Sequence, residues 1–343
     1  MKTQYILVGY GLANVCFAKY CVENKQSFVI FDDQKITASN VAAGVVNPIV
    51  LKRFTPVWQA IEQMDLLKKT FGEFTELLGN KYFHEMPIYR VLANDKEAEI
   101  WHRKIQENTI LEKYLAPKII DNKYESLKAE HGFGAMNETG YVDITQLLAD
   151  FKNQYKEHFR NEKFDYTQLN VDNNTYQDLT FDKIVFAEGT KVLQNPYFGF
   201  IPVVPNKGQV LKVRTEEPLP HAIVKSKCFL MPIGENEYYV GATYNREFQN
   251  EEATLEDRQK LQEQLEHFYT KRYQIIDEKV GTRPTVPDRR PIIGQHPEHP
   301  ALYVLNGLGT RGTFNGPAMA KALYEAIEQG AEIDPQINIR RFL

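Results

Sequence analysis

The chain has 343 residues, enough for two domains at the usual roughly 100–200 residues each. Apolar residues make up 43% and charged residues 25%, an ordinary globular balance that excludes a disordered or fibrous protein. The net charge of −4 demands no polyanionic partner, and no apolar run approaches the roughly 18 residues of a membrane span, so a cytoplasmic protein is expected.

The first predicted element is a strand, Tyr5-Ile6-Leu7-Val8, which runs into Gly9-Tyr10-Gly11-Leu12-Ala13-Asn14. These glycines come too soon for the apolar core and cleavage site of a secretory leader. A second apolar run, Phe28-Val29-Ile30-Phe31, ends in Asp32-Asp33. Together they outline a dinucleotide-binding βαβ unit. Gly9 permits the tight turn, and Gly11 lets the backbone approach a pyrophosphate. The helix from about Leu12 aims N–H groups at the anion, and Asp32, with Asp33 as the alternative, accepts the ribose hydroxyls. Asn14 stands at the third glycine position, where a small residue would let helix and strand pack closely. Cys16 and Cys21 fall on this helix as buried thiols. With Cys228 they form neither a disulfide framework nor a zinc site, and no histidine pair suggests a metal.

Residues 38–48 are small and mostly uncharged, a loop that either admits a flat ring system or packs tightly. Apolar residues at helical spacing predict a helix over 58–78. Short strands and charged helices follow, including a helix over 95–107, a turn and strand end at 140–143 and a helix over 145–155. Strands are expected at 164–171 and at 181–187. The second is almost wholly apolar and stopped by Glu188-Gly189, as suits a parallel strand buried on both faces. A β-rich stretch from 201 to 241 precedes one or two charged helices within 254–271. At the end, Leu302-Tyr303-Val304-Leu305 enters the loop Asn306-Gly307-Leu308-Gly309-Thr310-Arg311-Gly312-Thr313. Pro317 is then expected to start a helix that Gly330 closes.

A nicotinamide enzyme needs only the first glycine turn. The small-residue loop and the terminal glycine loop suit a flavin, whose ring must be gripped far from its adenosine end. With Gly140-Tyr141-Val142-Asp143, Lys207-Gly208-Gln209, Gly241-Ala242-Thr243, Gly281-Thr282-Arg283-Pro284-Thr285 and Asp288-Arg289-Arg290-Pro291, the chain resembles the FAD-dependent amine and amino-acid oxidoreductases of the D-amino-acid oxidase superfamily. Three stretches (43–50, 241–246 and 307–312) look most like the FAD domain of the bifunctional enzyme that matures a carboxymethylaminomethyl-uridine of tRNA.

The resemblance implies an α/β fold: a Rossmann-like FAD-binding domain (1–78, 140–192 and 284–343) with a discontinuous α+β substrate domain (79–139 and 193–283) on a mostly antiparallel sheet. It implies FAD as cofactor and hydride transfer from the carbon beside a neutral amine, with no catalytic base. The substrate is expected to be a small amino acid or secondary amine. A modified tRNA uridine and a catalytically silent nucleotide-binding protein are the alternatives. For the cofactor the expected residues are Gly9, Gly11, Leu12, Ala13, Asn14, Asp32, Asp33, Ser39, Ala43, Gly44, Val45, Leu169, Ala187, Gly189 and the loop Leu308 to Thr313. Arg283 is expected to anchor a substrate carboxylate, or else to tie the domains together. Arg311 is expected against flavin or substrate, or else holding loop carbonyls, and Tyr244 on the substrate side.

Overall fold

The computed structural model describes residues 1–217 and 219–343. Strand Lys2–Val8 is apolar and buried from Tyr5 to Val8, so it takes a central place in the first sheet. It pairs in parallel with Phe28–Phe31 on one side and Leu179–Phe186 on the other. Phe159–Arg160 extends the sheet beyond Phe28–Phe31, also in parallel. Leu302–Asn306 runs parallel to Leu179–Phe186, and Ile292–Gln295 adds an antiparallel edge. Five parallel strands therefore end along one edge, the place where open α/β sheets form ligand crevices.

The first helix, Leu12–Glu23, packs against the last one, Gly312–Gln329, beside this sheet. That last helix begins five residues before Pro317, earlier than expected from proline punctuation. A proline there removes only the bond to the Thr313 carbonyl. A second departure is the expected strand over 164–171. It is a 3-10 turn at Tyr166–Gln168 followed by the two-residue strand Leu169–Asn170, because Phe164 leaves the ladder to stack on Tyr176 at 4.1 Å. The small-residue stretch at 38–48 contains the short helix Ala38–Val41, opened by a Thr37–Asn40 capping box, and the strand Val45–Val46.

The second sheet has seven strands in the order Tyr273–Thr285, Val204–Thr215, Glu237–Gly241, Phe229–Gly234, Ile223–Lys225, Ile88–Val91 and Phe133–Met136. All neighbours are antiparallel except Ile223–Lys225 beside Ile88–Val91. Its outermost long strand, Tyr273–Thr285, faces the ligand edge of the first sheet through Gly281, where a Cβ would lie 3.1 Å from Val41 Cβ. A small sheet of Val45–Val46, Gly140–Val142 and Phe83–Glu85 joins the two bodies.

Trp101 anchors the far end of the second sheet. It is fully buried, donates from Nε1 to the Ala116 carbonyl at 2.9 Å, and lies on Gly134, where a Cβ would meet its ring at 2.9 Å. Trp101→Ala is expected to lower stability by about 3–5 kcal/mol, read as a shift of the denaturant midpoint.

Candidate cofactor and substrate cleft

A cleft of about 510 Å³ lies between the carboxyl edge of the first sheet and strand Tyr273–Thr285. Gly9 forms its floor. With φ of +94° and an Ala187 carbonyl oxygen 2.7 Å from any added Cβ, the position accepts only glycine. Gly11 is extended, and an added Cβ would meet Ser39 Oγ at 3.2 Å. The Leu12 amide donates to the same Ser39 Oγ at 3.1 Å, so Ser39 clips the small-residue segment onto the turn. Apart from Ser39 on that first amide, no side chain caps the helix that starts here, and its first turn holds no acid. Helix Gly312–Gln329 is uncapped and likewise free of acids in its first turn, and its start also lines the cleft. Two helix N-termini on one cleft favour an elongated ligand with negative charge near each.

Gly9, Gly11, Leu12, Ala13, Asp33 and Ser39 line the cleft. So do Ala187, Gly189, Leu308, Gly309, Thr310, Gly312 and Thr313, together with Arg283. Other expected positions lie elsewhere. Asn14 is buried, and its Nδ2 donates to the Val8 and Gly9 carbonyls at 3.0 and 2.8 Å. It ties helix to turn by hydrogen bonds where a third glycine would do so by close packing. Asp32 is 6% exposed, bonded to Lys152 Nζ at 2.7 Å and to the Gln34 amide, and it does not reach the lining.

Asp33 does line the cleft and is paired with Lys191. Burial works to raise its carboxyl, but the Lys191 ammonium and the Lys35 amide more than reverse this and hold it below the usual range. Ala43 lines a smaller adjoining cavity of about 230 Å³. Gly44, at φ of +68°, and Val45 instead serve the small sheet, where Val45 pairs with Tyr141. Leu169 pairs with Tyr176 and is not in the lining. Lys163, Phe164 and Tyr166 line it instead. Nothing in their sequence marks them, because the turn that presents them depends on the distant Tyr176.

On strand Tyr273–Thr285, Arg283 donates from Nη1 to the Thr243 carbonyl at 3.1 Å, and its guanidinium lies 4.8 Å from the centre of the Tyr244 ring. Gly208 on the neighbouring strand makes room, since a Cβ there would fall 2.3 Å from Arg283 Nη2. Among the described residues Arg283 forms no salt bridge, so its remaining donors can take an incoming anion. Tyr244 is 61% exposed, outside the lining. Arg311 donates from Nη1 to the Asn47 carbonyl at 2.8 Å, holding the small-residue segment to the terminal loop. Burial pulls its guanidinium down from the usual range.

A family model described as DAO, FAD dependent oxidoreductase, matches residues 4–326. The chain belongs to this family. Its cofactor is FAD, and the glycine cradle and paired helix N-termini fit that group. The tRNA 5-methylaminomethyl-2-thiouridine biosynthesis bifunctional protein MnmC of Idiomarina loihiensis is 31% identical over 156 residues, which are 41% of this chain and 25% of that protein. The protein of the same name from Marinobacter nauticus is 22% identical over 94% of this chain and 55% of its own length. The DAO-family chain thus spans at most about half the length of these relatives.

Solved structures share the fold at low identity. Glycine oxidase from Geobacillus kaustophilus superposes with a TM-score of 0.82 at 18% identity, over 99% of this chain and 98% of that one. Iminodiacetate oxidase from Chelativorans sp. gives 0.77 at 18% identity, over 96% and 97%. No helix among the described residues is long and apolar enough to cross a membrane.

The separate surroundings of the two aspartates predict separate effects in this flavoprotein. Asp33→Asn is expected to weaken FAD binding, measured by flavin fluorescence. Asp32→Asn is expected to lower the melting temperature, by leaving Lys152 Nζ without its partner, and to affect FAD binding less.

Proposed function

We propose that this oxidoreductase oxidises the C–N bond of a small amino acid or secondary amine that carries a carboxylate. The supporting observation is Arg283: a guanidinium without an acidic partner, in the cleft lining that also holds the Gly9 turn and the terminal glycine loop. Arg283 would grip the carboxylate with its free donors and so set the amine-bearing carbon over the cofactor. When bound, FAD supplies the oxidising power by accepting hydride from that carbon. The glycine turn and helix Leu12–Glu23 would hold the pyrophosphate, Asp33 the ribose, and the loop Leu308 to Thr313 the far edge of the ring. Arg311 keeps that loop and residue Asn47 together. Within this reading the first sheet and its helices are the FAD-binding part, and the seven-stranded sheet the substrate part.

A second reading, oxidation of a carboxymethylaminomethyl group on a tRNA uridine, draws on the names of the two bacterial relatives. The same arginine would serve it, because that group also ends in a carboxylate. The test is anaerobic bleaching of the FAD-loaded protein by glycine, iminodiacetate, proline and tRNA bearing the modified uridine. Bleaching by a free amino acid supports the first reading, and bleaching by the tRNA alone supports the second. Loss of colour with none of them, by a protein that binds FAD stoichiometrically, would reject both.

A further inference from the structure

Strand Leu179–Phe186 delivers Glu188 into the cofactor cleft, one residue past the carbonyl that walls the glycine turn. A Cβ built at Gly9 would lie 3.4 Å from Glu188 Cα, so this acid stands directly beside the anion-binding turn. Its side chain is fixed from two directions. Tyr166 donates its hydroxyl to Oε1, and Asn195 donates from Nδ2 to Oε2 at 2.7 Å. Lys163, from the segment carrying Tyr166, and Lys191, from the turn Gly189–Gln194, add positive charge nearby. Lys191 is itself bonded to Asp33 at the end of the neighbouring strand, which divides its influence. A carboxylate beside a pyrophosphate site is a conflict: the ligand is anionic, and the helix N-terminus that attracts it is close by.

We propose that Glu188 is a positioning residue of the cofactor site that works in its neutral form, so that FAD binding retains a proton on this carboxyl and weakens when it ionises. The neutral acid can keep both contacts, because its carbonyl oxygen still accepts from Asn195 while its hydroxyl donates to the Tyr166 phenol oxygen. Tyr166 and Asn195 therefore stay in place while the charge beside the pyrophosphate disappears. Burial already pushes the Glu188 carboxyl up, against the pull of Tyr166, Asn195 and the two lysines. An arriving pyrophosphate pushes it further. The linkage follows in sign: affinity is full at pH below the free protein's Glu188 titration and falls as pH rises through it. It levels off above the titration of the complex, with a slope no steeper than about tenfold per pH unit for one proton.

This rests on the pyrophosphate lying at the Gly9 turn. The test measures FAD binding to the apoprotein by flavin fluorescence quenching between about pH 5 and 9, for the wild type and Glu188→Gln. The same series is run by isothermal titration calorimetry with ADP-ribose, whose pyrophosphate keeps its charge throughout, and with adenosine, which has none. The expected result is affinity that declines with pH for FAD and ADP-ribose and stays level for adenosine. In Glu188→Gln both declines vanish, and FAD binds more tightly than to the wild type at the alkaline end. An unchanged slope in Glu188→Gln overturns the proposal. So does weaker FAD binding by that variant at every pH, which would make the carboxylate an acceptor for a cofactor hydroxyl. Absence of FAD binding by the wild type at any pH overturns the cleft assignment itself, and Glu188's role with it.

Discussion

Arg283→Leu is expected to raise the KM for a carboxylate-bearing amine by about 100-fold or more while the protein keeps its FAD. Each hydrogen bond between a guanidinium and a carboxylate contributes about 1.5–3 kcal/mol, so a lost bidentate pair removes roughly 3–6 kcal/mol. At about 1.4 kcal/mol per factor of ten, that is roughly two to four orders of magnitude in kcat/KM. Arg283→Lys keeps the charge but loses the planar fork, and should fall between the two. The leucine variant also strips a donor from the Thr243 carbonyl and the cation from the Tyr244 ring. A melting curve therefore accompanies the kinetics, to separate substrate binding from local collapse. An unchanged KM in a folded, yellow variant would remove Arg283 from the substrate site.

Gly9→Ala is expected to yield protein that purifies without FAD. The added methyl would sit 2.7 Å from the carbonyl oxygen of Ala187, which directly follows strand Leu179–Phe186 and is held by its own amide bonded to the Val8 carbonyl at 2.9 Å. The positive φ adds about 1–3 kcal/mol of strain, which the turn would relieve by changing shape. A loss of FAD affinity of about 5- to 150-fold follows from that strain alone. Gly11→Ala is the informative contrast. Its backbone is extended and its nearest neighbour is the Ser39 side chain, so the fold should tolerate the methyl. Any FAD lost there, with the melting temperature kept, is lost to local crowding of the turn and its Ser39 clip. The ratio of flavin to protein absorbance, read beside the melting temperature, distinguishes the two. Full FAD occupancy in Gly9→Ala would show that the pyrophosphate lies elsewhere.

Much of the fold is legible before folding is considered. The runs ending at Val8, Phe31 and Phe186 are apolar enough to be central parallel strands, and all three are. Asn94, Asp143 and Thr254 cap their helices with the side-chain oxygens that local chemistry favours. The segment 164–171 was not legible as it stands, because its turn is set by stacking between Phe164 and Tyr176, a contact across a hairpin. The start of the last helix was hidden for a different reason. Proline is most often seen in the first turn, but packing against helix Leu12–Glu23 carries this helix one turn further back.

The candidate site divides along the same line. By itself the sequence determined the glycine turn and the terminal glycine loop, because each depends on backbone chemistry confined to a few neighbouring residues, while Arg283 was expected only from the resemblance. Only the tertiary structure decided which side chains line the cleft. It engaged Asp32 with Lys152 and left Asp33 on the cleft, and it set Arg311 on the Asn47 carbonyl. It also brought Lys163, Tyr166, Glu188 and Lys191 together. These choices rest on contacts between residues far apart in the chain, whose geometry exists only once both sheets and their connecting turns have packed.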